Sequence, residues 1–194
     1  MSLPTLSIIV SAYDRPEHSK LCLQSLKLQT VPVAVLVTDN SEDRQNCAVC
    51  ALLCVACIHT QARGCRECYD AAEAVVKYTG GDFLGFPSDD NWYSPHYSKK
   101  MLEAAQANSW DLVYCDALFD PRPDWSGKHC VMEGFPAPGR IDKGGFIVRR
   151  SLFLEMGGFP GKTGGASASD GLFCEAAAAR CSHGRVPEVM WFHG

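Results

Sequence analysis

Runs of β-branched and aliphatic residues alternate with helix-like segments from the N-terminus onward, and this alternation constrains the fold more than any other feature. "LSIIVSAY" (residues 6–13) reads as a buried strand. Pro16 then opens a helix over "PEHSKLCLQSLKLQT", with Leu21, Cys22, Leu26 and Gln29 along one face. "VAVLVTD" follows Pro32 as a second strand and ends at "NSED", a cluster that turns the chain and caps a helix. A Cys-rich helix, a short strand from Val55 to Thr60 and a helix over "RECYDAAEAVVKYT", stopped by Gly80 and Gly81, form a third unit. "DFLGF" is the next strand, and "SPHYSKKMLEAAQAN" a helix with Ser94 as N-cap and Pro95 in its first position. Strand and helix in such succession predict an α/β protein with helices packed on the faces of its sheet.

The second half is less regular. Strand-like "DLVYC" and "GFIVR" flank a Pro- and Gly-rich excursion, a connection long enough to carry binding work. A short helix "SLFLEM" ends at Gly157 and Gly158, and "DGLFCEAAAARC" reads as another helix. With no internal repeat and no clean linker, 194 residues suit one domain, divided into a nucleotide-fold half (1–100) and a second half (101–194).

Charge narrows the partners. A net charge of -4 with no basic block gives no electrostatic footprint for nucleic acid or an anionic membrane. The longest uncharged apolar run, "CAVCALLCVACI" (residues 47–58), falls short of the roughly 20 residues of a membrane span. No basic secretory n-region precedes the first strand, so the expected location is cytoplasmic. Eleven cysteines are an odd number in a chain large enough to need no staples, and reduced thiols are expected. The Cys-x-x-Cys spacings among Cys47, Cys50, Cys54, Cys57, Cys65 and Cys68 superficially resemble a metal site. Cys47, Cys50 and Cys54 also recur at helical spacing among Ala, Val and Leu, where cysteine serves as a small hydrophobe.

Phosphate-loop fingerprints fail. "GFPGKT" lacks the glycine that a P-loop needs, Met156 standing there, and "SAYDRPE" after the first strand contains no glycine. No G-x-S-x-G elbow exists. What remains is polar residues at the carboxyl ends of consecutive strands, where open α/β sheets bind ligands: Ser11, Tyr13 and Asp14, then Asp39, then Ser88, Asp89, Asp90 and Asn91. Tyrosine can stack on a base, a carboxylate can accept a base N–H, and an acidic pair can hold a divalent cation that in turn holds phosphates. Adjacent aspartates repel unless a cation neutralises them, which makes Asp89 and Asp90 more than the solvated turn that "SDDN" could otherwise form.

"LSIIVSAYDRPEHSKLCLQSLKLQT", "LVTDNSED", "GDFLGFPSDDNWYSP", "IDKGGFIVRRSLFLEMGGFP" and "SDGLFCEAAAAR" together resemble the inverting family-2 glycosyltransferases of GT-A fold, over essentially the whole chain. The resemblance implies a Rossmann-like mixed sheet with helices on both faces, a nucleotide-diphosphate sugar donor with UDP-sugar favoured, and a carbohydrate or lipid-linked acceptor bound by the second half. It implies that Ser11, Tyr13 and Asp39 contact base and ribose, that Arg63 or Arg66 approaches base or phosphates, and that Asp89 touches ribose or donor sugar. Asp90 would coordinate Mn2+ or Mg2+ on the diphosphate, with His193 a further ligand, and Asp170 would be the general base. Two positions depart from the family pattern, Ser88 in the acidic motif and Ser169 before the base. These departures motivate the rival expectation of a non-catalytic nucleotide-sugar or carbohydrate-binding domain. A nucleotidyltransferase is a weaker rival, because the basic Gly-rich loop it needs after the first strand is missing.

Overall fold

The computed structural model describes residues 2–61, 64–119, 130–160 and 169–194. Among them lie nine strands: β1 (Leu6–Ala12), β2 (Ala34–Asp39), β3 (Ala56–His59), β4 (Phe83–Gly85), β5 (Asn91–Tyr93), β6 (Leu112–Phe119), β7 (Cys130–Met132), β8 (Phe146–Arg149) and β9 (His183–His193). Six α-helices accompany them: α1 (Pro16–Lys27), α2 (Gln45–Leu52), α3 (Cys65–Val75), α4 (Tyr97–Asn108), α5 (Arg150–Glu155) and α6 (Ser169–Ala178). The strands form one sheet in the order β3-β2-β1-β4-β8-β6-β9-β5, with β7 beside the far end of β6. β1 to β4 are mutually parallel where they pair. β8 runs antiparallel to both β4 and β6, so the sheet is mixed and the two sequence halves meet inside it.

Every residue of β1 is buried, because both of its faces are covered. Ile8 and Val10 point into one apolar cluster with Leu23 of α1 and Tyr97 and Met101 of α4. Ile9 points into the other, with Phe86, Phe146, Phe153 and Phe173. Alternation along a single strand thus separates the helices onto two faces. The buried face of α1 is Ser19, Cys22, Leu23 and Leu26, whereas Leu21, expected inward, is exposed.

Several boundaries depart from the sequence expectation. Ser94 does not cap α4, which starts at Tyr97 with His96 in the capping position, and the preceding stretch pairs instead as β5 against β9. The left-handed Arg44 opens α2, and Asp43 of the "NSED" cluster caps it as expected, its Oδ1 accepting from Gln45 N at 3.2 Å. Asp39 adds a second cap from the end of β2, accepting from Cys47 N at 2.9 Å. Of the three cysteines placed on the inner face of the Cys-rich helix, Cys50 is buried, Cys47 half-buried and Cys54 exposed beyond its end.

Candidate active site

Because β1, β2 and β4 are parallel, their carboxyl ends open on one edge of the sheet. Past β4 the chain stays beside β1, with Ser11 N donating to Pro87 O at 3.0 Å and Asp89 N to Ser11 O at 3.1 Å. Asn91 Oδ1 accepts from Ser88 N at 2.9 Å and closes the turn. The backbone on either side of Asp89 and Asp90 is thereby fixed, and both side chains are buried. Their cation in this structure is Arg15. Its Nη2 donates to Asp89 Oδ1 and its Nη1 to Asp90 Oδ2, each at 2.7 Å. Left-handed Asp14 turns the chain just before it. Asp89 Oδ2 also accepts from Tyr13 N at 3.0 Å. Burial nevertheless raises the Asp89 carboxyl above its ordinary value, outweighing the pull of Tyr13 N and Arg15.

The other side of Asp90 faces the end of β9. Pairing of Asn91 with His193 brings His193 Nε2 to 3.9 Å from Asp90 Oδ2, and the ring stacks on Phe119 at 5.1 Å. Asp142, half-buried before a 3-10 turn at Lys143–Gly145, interacts electrostatically with Asp90, His193 and Asp170. Burial raises its carboxyl as well, against the opposing effects of Gly144 N, Lys143 and His193. Asp170, in the first turn of α6, accepts from Lys143 N at 3.0 Å and from Gly171 N at 2.8 Å. Burial, followed by the neighbouring charge of Asp142, pushes it up to about 6. Asp142 and Asp170 line a cleft of about 670 Å3 together with Phe119, Val131, Met132 and Arg140.

The remaining expected residues are dispersed. Tyr13 is 42% exposed beside the Asp89 turn. Asp39 is fully covered, its Oδ1 accepting from Ser41 N at 3.0 Å and from Asn46 Nδ2 at 3.1 Å. Burial alone would raise its carboxyl, but donors from Ser41, Asn46 and Cys47 hold it below the usual value. Asp39 reaches the acidic pair only through intermediates: Ser19 Oγ donates to Asn46 Oδ1 at 2.6 Å and lies 3.4 Å from Asp89 Oδ2. Arg66 pairs with Asp70 along α3 at 2.6 Å, and Arg63 lies outside the described residues. Sequence reasoning missed Arg15 and Asp142. Arg15 carried a usable signal, a cation directly after the first strand where the pair needed one; Asp142 had none, since its proximity to Asp170 arises from packing.

Asp90 and His193, the latter stacked on Phe119 of the cleft wall, offer an oxygen and a nitrogen donor, a set that suits a divalent cation such as Mn2+ or Mg2+. The sequence profile of the family described as "Glycosyl transferase family 2" matches residues 7–159. The chain belongs to that family. EpsH of Bacillus subtilis (strain 168) is 26% identical over 122 residues, or 60% of this chain and 34% of EpsH. Among solved structures, S. aureus TarS 1-349 superposes with a TM-score of 0.77 at 18% identity, over 97% of this chain and 60% of that one. The mannosyltransferase PcManGT of Pyrobaculum calidifontis, in complex with GDP-Man and Mn2+, gives 0.77 at 17% identity, over all of this chain and 57% of that one. These likenesses establish the GT-A fold of this family-2 chain, which spans about a third of EpsH and under two thirds of both structural relatives. No helix among the described residues is long and apolar enough to cross a membrane.

Proposed function

We propose that this family-2 chain transfers a sugar from a nucleoside-diphosphate donor, UDP-sugar first, to an acceptor hydroxyl with inversion at the anomeric carbon. The observation that carries the reading is Asp170: a carboxyl in the wall of the cleft, oriented by two backbone N–H groups and pushed up to about 6. A base with that affinity is ionised at neutral pH yet binds a proton far more readily than a free aspartate, as general-base catalysis requires. Asp170 takes the proton of the acceptor hydroxyl as its oxygen attacks the sugar, and a single displacement inverts the anomeric centre. Lys143 N and Gly171 N keep the carboxylate aimed during this step.

Tyr13, Ser11 and Asp89 form the donor side. Asp39 acts from below, ordering the β2–α2 loop that supports the base and ribose. Asp90 and His193 hold a divalent cation, Mn2+ or Mg2+, which when bound compensates the charge of the departing diphosphate. Complexes of the structural relatives with UDP, UDP-GlcNAc and GDP-Man with Mn2+ support this donor class. The acceptor, a carbohydrate or lipid-linked sugar, enters the cleft beside Phe119, Val131 and Met132.

The test is a donor panel with and without Mn2+, read as nucleoside-diphosphate release by the chain and by Asp170→Asn. Release by the former alone, with nucleotide binding intact in both, supports the reading. Binding of donors without release by either would identify a non-catalytic sugar-nucleotide domain.

A further inference from the structure

The Cys-rich segment plays no part in the proposed transfer, yet folding gathers it. Three elements converge behind the β2 end: β2 brings Asp39, α2 brings Cys47 and β3 brings Cys57, with one donor atom of each within 4.8 Å of the others. Cys47 Sγ and Cys57 Sγ are 2.8 Å apart. The Asp39 Oδ1 atom is taken up by Ser41 and Asn46, while Oδ2 accepts from Cys47 N and lies 3.8 Å from His59 Nδ1. That imidazole nitrogen is buried and makes no hydrogen bond. Cys50 is fully buried in the apolar core, from which its thiol hydrogen-bonds Cys57. Cys47 and Cys57 are different: both are half-buried, and they face a carboxylate that a hydrophobe would avoid.

We propose that Asp39, Cys47 and Cys57 bind one zinc ion that ties the end of β2 to α2 and β3, with His59, 3.8 Å from Asp39 Oδ2, turning in as the fourth ligand. Two sulfurs, one carboxylate oxygen and one imidazole nitrogen are a zinc donor set, and calcium or magnesium would disfavour the sulfurs. Zn–S bonds of about 2.3 Å place two tetrahedral thiolates roughly 3.8 Å apart, so binding opens the sulfur pair by about 1 Å through side-chain rotation. Ser41 and Asn46 already supply the outer hydrogen bonds that orient a ligating carboxylate. This ion is distinct from the divalent cation proposed at Asp90 and His193, and its detection needs neither nucleotide nor turnover.

The experiment starts from the chain reduced, stripped with a chelator and kept anaerobic. Zn2+ is titrated by competition with a chromophoric chelator, and Co2+ is added separately to read thiolate-to-cobalt charge transfer in the near ultraviolet. The expected results are one equivalent of zinc, a charge-transfer band, and loss of both in Cys47→Ser and Cys57→Ser, with Cys54→Ser unchanged. Asn46→Ala, which removes an outer hydrogen bond to Asp39 along with the one accepted from Ser19, should weaken zinc by about 10–100-fold. Circular dichroism of each variant distinguishes loss of the site from loss of the fold, and His59→Ala provides a second ligand deletion away from the thiols. Absence of the cobalt band in the folded chain, or equal zinc affinity in Cys47→Ser and the parent, would overturn the proposal. So would a Cys47–Cys57 disulfide persisting in the reduced, zinc-supplemented chain.

Discussion

At the scale of single residues, the cleft is governed by how a few carboxylates are neutralised. Among the described residues no cationic side chain is bonded to Asp170, and its two backbone donors only partly offset its burial. Replacing it with Asn should leave nucleotide affinity unchanged while lowering turnover by about 10²–10⁴-fold, measured by steady-state kinetics and nucleotide titration. In the parent chain, turnover should fall as pH drops below about 6, where Asp170 becomes protonated. Arg15 is the counterpart of Asp170, a cation shared between two buried carboxylates although its own side chain is 41% exposed. Arg15→Met should destabilise the fold by about 1–2 kcal/mol, since the like charges of Asp89 and Asp90 then face one another with partial solvent screening. Mn2+ should recover more of the melting temperature in that variant than in the parent, a comparison that thermal denaturation settles. The acidic pair was legible because two aspartates follow a buried run. Its partner was harder to read: Arg15 stands directly after the first strand, but only the pairing of β1 with β4 brings it to an Asp 74 positions later.

At the scale of elements, the site depends on close backbone packing. Gly171 follows Asp170 in α6, and a Cβ there would stand 2.4 Å from Pro138 Cα. Glycine to alanine normally favours a helix by about 1 kcal/mol. Here Gly171→Ala should instead cost about 1–3 kcal/mol of overpacking and displace Asp170, so turnover falls while donor binding persists, as denaturant titration and kinetics would show. The strands that sequence reading missed share a physical cause. β9 contains Pro187, which can donate no ladder hydrogen bond, and its register against β6 shifts there, from Cys115 opposite Val186 to Asp116 opposite Val189. Val189, Trp191 and Phe192 favour a strand, but Pro187 with Arg185 and Glu188 breaks the run, and the full length of β9 forms by pairing with β6, whose residues lie some 70 positions earlier. β5 and β7 are three residues each, too short for any periodicity to register.

At the scale of the whole molecule, the acidic cleft opposes the fold that contains it. A carboxyl raised by folding contributes stability that is complete below its unfolded value near 4 and is lost as pH rises through the folded value, about 6 for Asp170. The change from 3.8 to about 6 corresponds to about 3 kcal/mol. The unfolding free energy of the parent should therefore fall relative to that of Asp170→Asn by about that amount between pH 4 and pH 7.5, as measured by urea denaturation at each pH. The α/β class, the buried β1 and the succession of strands and helices in the first hundred residues follow from the sequence alone, because hydrophobic periodicity is local and each element reports itself. The polar strand ends could be named on the same basis, since parallel connectivity sends successive carboxyl ends to one edge. Tertiary structure alone decided that Arg15 closes on both aspartates, that Asp142 stands beside Asp170, and that Asp39 turns beneath its loop toward two thiols. Each of those depends on side chains meeting across elements distant in sequence, and the free energy of such meetings is set by packing and burial that no local pattern encodes.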